Sequence, residues 1–212
     1  MNRTEHREKN LKFPFVKYTP SSYTSDSGKK LPLIIQLHGA GERGYGDDGL
    51  SLVDVHGFSK IIKDKDYECM IIMPQCAPES FWAARVESII EFIGQIKDAF
   101  SIDEDRVYLT GLSMGGYGTW YTAMARPDIF AAIAPCCGGG MAWNAGRLKI
   151  PVWVFHGSDD TTVSIVQSDE MVEAIRANGG NVRYSRIDGV GHAVQEYAFT
   201  DELIKWLLSN TR

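Results

Sequence analysis

Apolar residues in this chain collect into two kinds of segment. Continuous runs occur at Leu31–Leu37 ("LPLIIQL"), 69–73 ("CMIIM"), 106–110 ("RVYLT"), 130–137 ("FAAIAPCC") and 151–155 ("PVWVF"). Runs this short and this apolar predict strands covered on both faces. Pro74 stops the second, and Pro151 is tolerable as the first residue of the last. "FVKYTP" predicts a first strand, and "VRYSRID" alternates as a final, less buried one. Helical spacing appears between these runs. Apolar positions 86, 89, 90, 93 and 96 line one face of a helix within 81–100. A second helix follows Ser113 and closes at Pro127. A third covers 166–177, where "NGGN" suits a C-cap, and "TDELIKWLLSN" makes a closing helix with Thr200 as N-cap.

The remaining stretches connect these elements. "SSYTSDSGKK" and "AGERGYGDDG" read as turn-rich loops, and Asp103 to Asp105 as a turn into a strand. "SLVDVHGFSKIIKD" predicts a short helix weakened by Gly57. The interval 138–150 links two strands and is too short for a helical lid, although the loop 42–56 has the length to fold over a cleft. Residues 1–12 are charged and polar and read as a flexible arm, so the expected organisation is that arm followed by one domain over 13–212. Apolar strands alternating with amphipathic helices predict an α/β fold with a mostly parallel sheet and helices on both faces. Ligands in such sheets gather beyond the carboxyl ends of the strands.

Composition changes this picture little. At 212 residues one substantial core is expected, and 44% hydrophobic with 23% charged residues fits an ordinary globular protein. The formal charge of −5 argues against nucleic acid or an anionic membrane as partner. Cysteines 69, 76, 136 and 137 lack metal-ligand spacing and read as buried free thiols. The N-terminus has no apolar signal core, and no run approaches the ~18 apolar residues of a membrane span. As it stands the sequence reads as cytoplasmic, with secretion or a periplasmic site open if a leader was removed.

The chemistry concentrates where strands end. Gly111, Ser113 and Gly115 form Gly-x-Ser-x-Gly between a strand and a helix. That placement forces a sharp turn, lifting the hydroxyl from the sheet beside the first free amides of the helix. A serine hydroxyl needs a base, and the base an orienting acid. His192, in the loop after the last strand, is placed to reach across. His38 and His156 end strands as His-Gly and are expected to pack beneath the site. His6 and His56 are poorer candidates. Asp159 and Asp160, in the turn "HGSDDTTVS", are the candidate acids, with Asp188 a weaker competitor. The developing oxyanion calls for donors, for which the Met114 N–H and one from the loop after Leu37, Ala40 before Gly41, are suited. "GAGERG" lacks the Lys-Ser/Thr ending of a phosphate loop, so neither a nucleotide nor a metal cofactor is expected. Glu42, Arg43, Trp82 and Trp143 are possible substrate-binding residues.

The segments "PLIIQLHGAGERG", "MPQC", "GLSMGGYGTW", "PDIFAAIAPCCGGG", "HGSDDTTV" and "GH" together resemble a compact carboxylesterase of the α/β-hydrolase superfamily. They are similar to the bacterial "predicted peptidase" and esterase group, related to dienelactone hydrolases, polyhydroxybutyrate depolymerases and feruloyl or acetyl-xylan esterases. The resemblance implies an α/β-hydrolase fold of about seven strands without a lid domain. It carries the nucleophile onto Ser113, the base onto His192, the acid onto Asp160 rather than Asp159, and the first oxyanion donor onto Ala40. The acid turn reads Val163-Ser164 where the family pattern has Val-Pro, a departure that leaves the acid in place. The implied activity is serine carboxylester hydrolysis through an acyl-enzyme, on small soluble esters or acylated saccharides of acetyl or feruloyl type. A small serine peptidase or amidase is the alternative, and a catalytically silent binding protein a third reading.

Overall fold

The computed structural model describes residues 1–24, 28–47 and 49–212. The tip of the loop expected at 21–30 and Asp48 of the glycine-rich loop lie outside the described residues. In chain order the strands are β1 (Asn2–His6), β2 (Phe15–Thr19), β3 (Leu31–Leu37), β4 (Met70–Pro74), β5 (Ile102–Leu112), β6 (Ala132–Cys136), β7 (Val152–Gly157) and β8 (Val182–Ile187). They form one eight-stranded sheet in the order β1-β2-β4-β3-β5-β6-β7-β8. The β1–β2 and β2–β4 pairs are antiparallel, and all others are parallel. The helices are α1 (Val86–Ala99), α2 (Met114–Ala125), α3 (Val166–Ala177), α4 (Gln195–Ala198) and α5 (Asp201–Leu208).

Alternate residues of β3 serve opposite faces, as a period of two requires. Leu33, Ile35 and Leu37 pack with Phe92 and Ile93 of α1, Trp120 of α2 and Met171 of α3. Ile34 packs on the other side with Leu203, Ile204 and Leu207 of α5. Burial on both faces is why this strand carries no polar alternation. Pro32, which cannot donate to the ladder, sits where the β3–β5 register shifts between Leu31 and Leu33. Thr200 accepts from the Leu203 N–H as the N-cap of α5.

Three sequence expectations are corrected. Residues 2–6 are not a flexible arm but a strand, paired with β2 from Asn2↔Thr19 to His6↔Phe15. Pairing draws on backbone amides, so a polar segment can close the open edge of β2 without apolar residues. His6 also stacks on Phe15 at 4.5 Å. With β1 the sheet has eight strands, close to the seven or so expected. The helix expected after residue 50 is two 3₁₀ turns, Leu50–Asp54 and Phe58–Lys60, divided by Gly57 at φ 104°. Finally, β5 starts at Ile102 and absorbs the turn expected at 103–105.

The β6–β7 connection contains only the 3₁₀ segment Ala142–Arg147, as its length required. Cys69, Cys76, Cys136 and Cys137 are buried free thiols. Among the described residues, no helix is long and apolar enough to cross a membrane. From β3 the chain steps to β4 on one side, then to β5 on the other. That reversal opens a crevice at the carboxyl ends of β3 and β5. Residues 38–42 leave one end, and Ser113 leaves the other.

Candidate active site

Ser113 connects β5 directly to α2 with φ 55° and ψ −111°. A non-glycine residue held there stores about 1–3 kcal/mol of strain, so its surroundings must over-determine it. The Ser113 N–H donates to the Cys136 carbonyl at 2.9 Å, and the Tyr117 N–H returns to the Ser113 carbonyl at 3.1 Å. Glycine is required on both sides. A Cβ on Gly111 would lie 2.4 Å from the Gly115 carbonyl oxygen, and one on Gly115 would lie 2.0 Å from that of Leu37. The motif's glycines are thus contact points between α2 and the strands beneath it.

His192 reaches this serine from the loop after β8. The Ser113 hydroxyl donates to His192 Nε2 at 2.9 Å, and His192 Nδ1–H donates to Asp160 Oδ2 at 2.7 Å. Asp160 follows β7, and its Oδ1 accepts the Thr162 and Val163 N–H groups, each at 2.9 Å. Burial alone would raise the Asp160 carboxyl, but the His192 bond and these two amides outweigh it and hold it below its ordinary value. Asp159 instead accepts from the Ser158 hydroxyl at 2.7 Å, and Asp188 is exposed at 93% beside Arg186. The structure therefore gathers Ser113, His192 and Asp160 and leaves both competing carboxylates outside.

His38 and His156 pack beneath this group. Fully buried His156 points Nε2–H at the Val163 carbonyl (2.9 Å) and lies 3.3 Å from Asp160 Oδ2. Its Nδ1 meets the Ser168 hydroxyl at 2.7 Å. Asp160 thus sits between two imidazoles, an arrangement that His-Gly at the end of an apolar run only hinted at. His38 donates from Nδ1 to the Gly39 carbonyl at 2.6 Å and accepts the Cys76 N–H at Nε2. Burial lowers its pKa to about 4. Cys137, at φ 39°, is the buried free thiol the sequence suggested, but its place beside the site had no sequence signal. Its sulfur lies within 4.8 Å of ligand atoms of Asp160 and His192. Burial pushes that thiol up to about 12.

The loop after β3 faces the serine. Ala40 opens a 3₁₀ turn, Ala40–Glu42, while Met114 opens α2. Amides at helix starts have no intrahelical acceptor. Arg43 does not enter the cleft. Its guanidinium donates to the carbonyls of Ala40 (2.9 Å), Pro78 (2.9 Å) and Ser80 (3.3 Å), stapling this loop to the next. Trp82 is likewise no cleft wall. It is wholly buried, and its indole N–H donates to the His38 carbonyl at 3.0 Å, so it braces the loop from behind. Trp143, the other aromatic candidate, is 82% exposed and also lies outside the cleft.

The cleft over Ser113 has a volume of about 400 Å³ and is walled by His192, Ala40, Glu42, His56 and Leu112, among others. Leu112 is its largest apolar side chain. Of the four suggested substrate-binding residues, only Glu42 lines it. His56, which sequence reasoning passed over, is brought in by the loop 42–56; nothing in its local sequence marks that placement.

A sheet with this order, a strained serine between β5 and α2, and an acid and base after β7 and β8 define an α/β-hydrolase fold. The chain belongs to the phospholipase/carboxylesterase family, which residues 67–207 match. It is 28% identical over 165 residues to a bifunctional acetylxylan esterase/xylanase of Neocallimastix patriciarum, covering 75% of this chain and 23% of that protein. It is 33% identical over 119 residues to a poly(3-hydroxyalkanoate) depolymerase of Paucimonas lemoignei, covering 41% of this chain and 28% of that one. A thermostable esterase of known structure superposes over 100% of this chain and 63% of its own, with TM-score 0.79 and 32% identity. The chain thus spans about a quarter of the two curated relatives.

Proposed function

We propose that this protein is a serine carboxylester hydrolase acting on short-chain acyl esters, with acylated saccharides as its substrate class. The observation that carries the reading is the continuous Ser113–His192–Asp160 hydrogen-bond chain at the floor of an open cleft. His192 takes the Ser113 proton as Oγ bonds to the ester carbonyl carbon, and the oxyanion is held by the Ala40 and Met114 N–H groups. As the carbon–oxygen bond to the alcohol breaks, His192 gives its proton to that oxygen. Water then attacks the acyl-enzyme, losing a proton to His192, which passes it to departing Ser113. Asp160 keeps Nδ1 protonated and stabilises the imidazolium throughout.

The short-acyl preference rests on the walls. Burying each further methylene is worth about 0.8 kcal/mol where apolar surface receives it, and Leu112 is the one large apolar side chain in this lining, the other apolar residues being glycine and alanine. The relatives named for acetylxylan and polyester cleavage support an ester over an amide. The test is labelling of the wild type by a fluorophosphonate, lost in Ser113→Ala, together with kcat/KM for p-nitrophenyl esters from acetate to palmitate and for aminoacyl amides. Labelling with a maximum at acetate or butyrate is expected. Unlabelled Ser113, faster amide than ester turnover, or a maximum at laurate or longer overturns the reading.

A further inference from the structure

The cleft contains a second pair of polar side chains that the serine chemistry does not use. Glu42 is nine-tenths buried, and its Oε2 has no hydrogen-bond partner among the described residues; neither has the buried Nδ1 of His56. The neighbouring histidine cannot serve Glu42, because His38 Nδ1 lies 4.0 Å away and is engaged with the Gly39 carbonyl. Leaving buried polar groups unmatched is costly, and both side chains line the cleft, with Glu42 Oε1 and His56 Nε2 as the facing atoms of the pair. Neither residue is loosely held. Gln36 of β3 donates to the His56 carbonyl and accepts the Phe58 N–H, both at 2.9 Å. Gln75, after β4, donates to the Glu42 carbonyl at 2.9 Å. Two buried glutamines therefore fix the backbone that carries the pair.

Spacing indicates what the pair would take. His56 Nε2 and Glu42 Oε1 are 3.8 Å apart, too far for a direct hydrogen bond. One oxygen about 2.8 Å from each would span them at close to a right angle, accepting from Nε2–H and donating its own proton to the carboxylate. That is the valence of an alcohol hydroxyl, or of a water that such a hydroxyl would displace. With the His56 proton on Nε2, an ether or carbonyl oxygen has no proton for Glu42 and an ammonium finds no second acceptor; with the proton on Nδ1 an ammonium would fit, which an amino ester tests.

We infer that Glu42 and His56 form a hydroxyl-binding subsite that recognises a free hydroxyl on the substrate beside the ester cleaved at Ser113. The inference rests on the ester-hydrolase reading and narrows it to esters of polyols, with the subsite selecting substrates that keep a neighbouring hydroxyl.

The experiment compares Glu42→Ala and His56→Phe with the wild type on three acetates: a monoacetylated methyl xyloside, cyclohexyl acetate and 4-aminocyclohexyl acetate. Using two variants guards against one failing to fold, which circular dichroism checks. A lost hydrogen bond to a charged group corresponds to about 10- to 100-fold in kcat/KM. Each folded variant should lose that factor on the xyloside ester relative to cyclohexyl acetate. Equal losses on both esters would mean that the pair only shapes the loop, and no selective loss on the xyloside would also overturn the inference. A Glu42→Ala loss largest on the amino ester would make this an ammonium site instead. Wild-type turnover of cyclohexyl acetate, with fluorophosphonate labelling at Ser113, leaves the ester-hydrolase reading standing whichever way the ratios fall. Absence of both would sink that reading and this inference together.

Discussion

Replacing Asp160 by asparagine changes one atom, and the structure determines which way the amide must face. Oδ1 accepts two backbone N–H groups at 2.9 Å, from Thr162 and Val163. An amide nitrogen there would confront two donors, so the carbonyl oxygen of the introduced asparagine keeps that position. Its NH₂ then falls where Oδ2 now receives His192 Nδ1–H at 2.7 Å. To avoid two opposed donors, His192 must carry its proton on Nε2, and the nitrogen facing Ser113 Oγ can no longer accept. His156 Nε2, 3.3 Å from the same oxygen, also donates and offers no relief. The expected consequence for Asp160→Asn is a ~10⁴-fold fall in kcat, about 5 kcal/mol of transition-state stabilisation. Asp159 contacts only the Ser158 hydroxyl among its side-chain partners in the described residues, so Asp159→Asn should stay within about threefold, as surface changes generally do. The assay is kcat and kcat/KM on p-nitrophenyl acetate for both purified variants, with fluorophosphonate labelling rates as a second readout. A loss in Asp159→Asn equal to that in Asp160→Asn, or a fall below about tenfold in Asp160→Asn, would refute the tautomer argument.

Two further predictions concern stability. Gly115→Ala should destabilise by about 3 kcal/mol or prevent folding, because its Cβ would meet the carbonyl oxygens of Leu37 and His38 at 2.0 and 2.9 Å. Gly94→Ala, in α1 with nothing within 4 Å of the new Cβ, should instead gain about 0.5–1 kcal/mol; urea midpoints that agree for the two variants contradict the packing account. His38 is held neutral by burial, with its pKa lowered to about 4, whereas in the unfolded chain it titrates near ~6.5. On acidification the unfolded state therefore takes up this proton first, and about 3 kcal/mol is lost between pH 6.5 and 4. A stability–pH curve over that window should flatten in His38→Gln, and an unchanged slope would remove His38 as its source.

How much of this was legible beforehand depended on which physical rule each residue obeyed. β3, β4 and β7 announced themselves because strands covered on both faces must be apolar throughout. Ser113 did so because a strand cannot turn into a helix across one residue without glycines where the backbones touch. The local chemistry of the acid turn left Asp159 and Asp160 equal, and resemblance to a family pattern separated them. In the structure they differ because consecutive side chains leaving β7 point apart, one toward His192 and one toward Ser158. β1 was invisible because edge pairing is paid in backbone hydrogen bonds, which leave no apolar pattern. Trp82 and Arg43 looked like substrate contacts because a tryptophan and an arginine beside a site suit that role. Only tertiary packing assigned their donors to carbonyls of the loop they brace. Glu42 and His56 lie fourteen positions apart, on separate turns, and nothing local relates them. Gln36 and Gln75, buried near the ends of β3 and β4, hold the two loops in register, so the spacing that makes them a pair exists only once the sheet has formed.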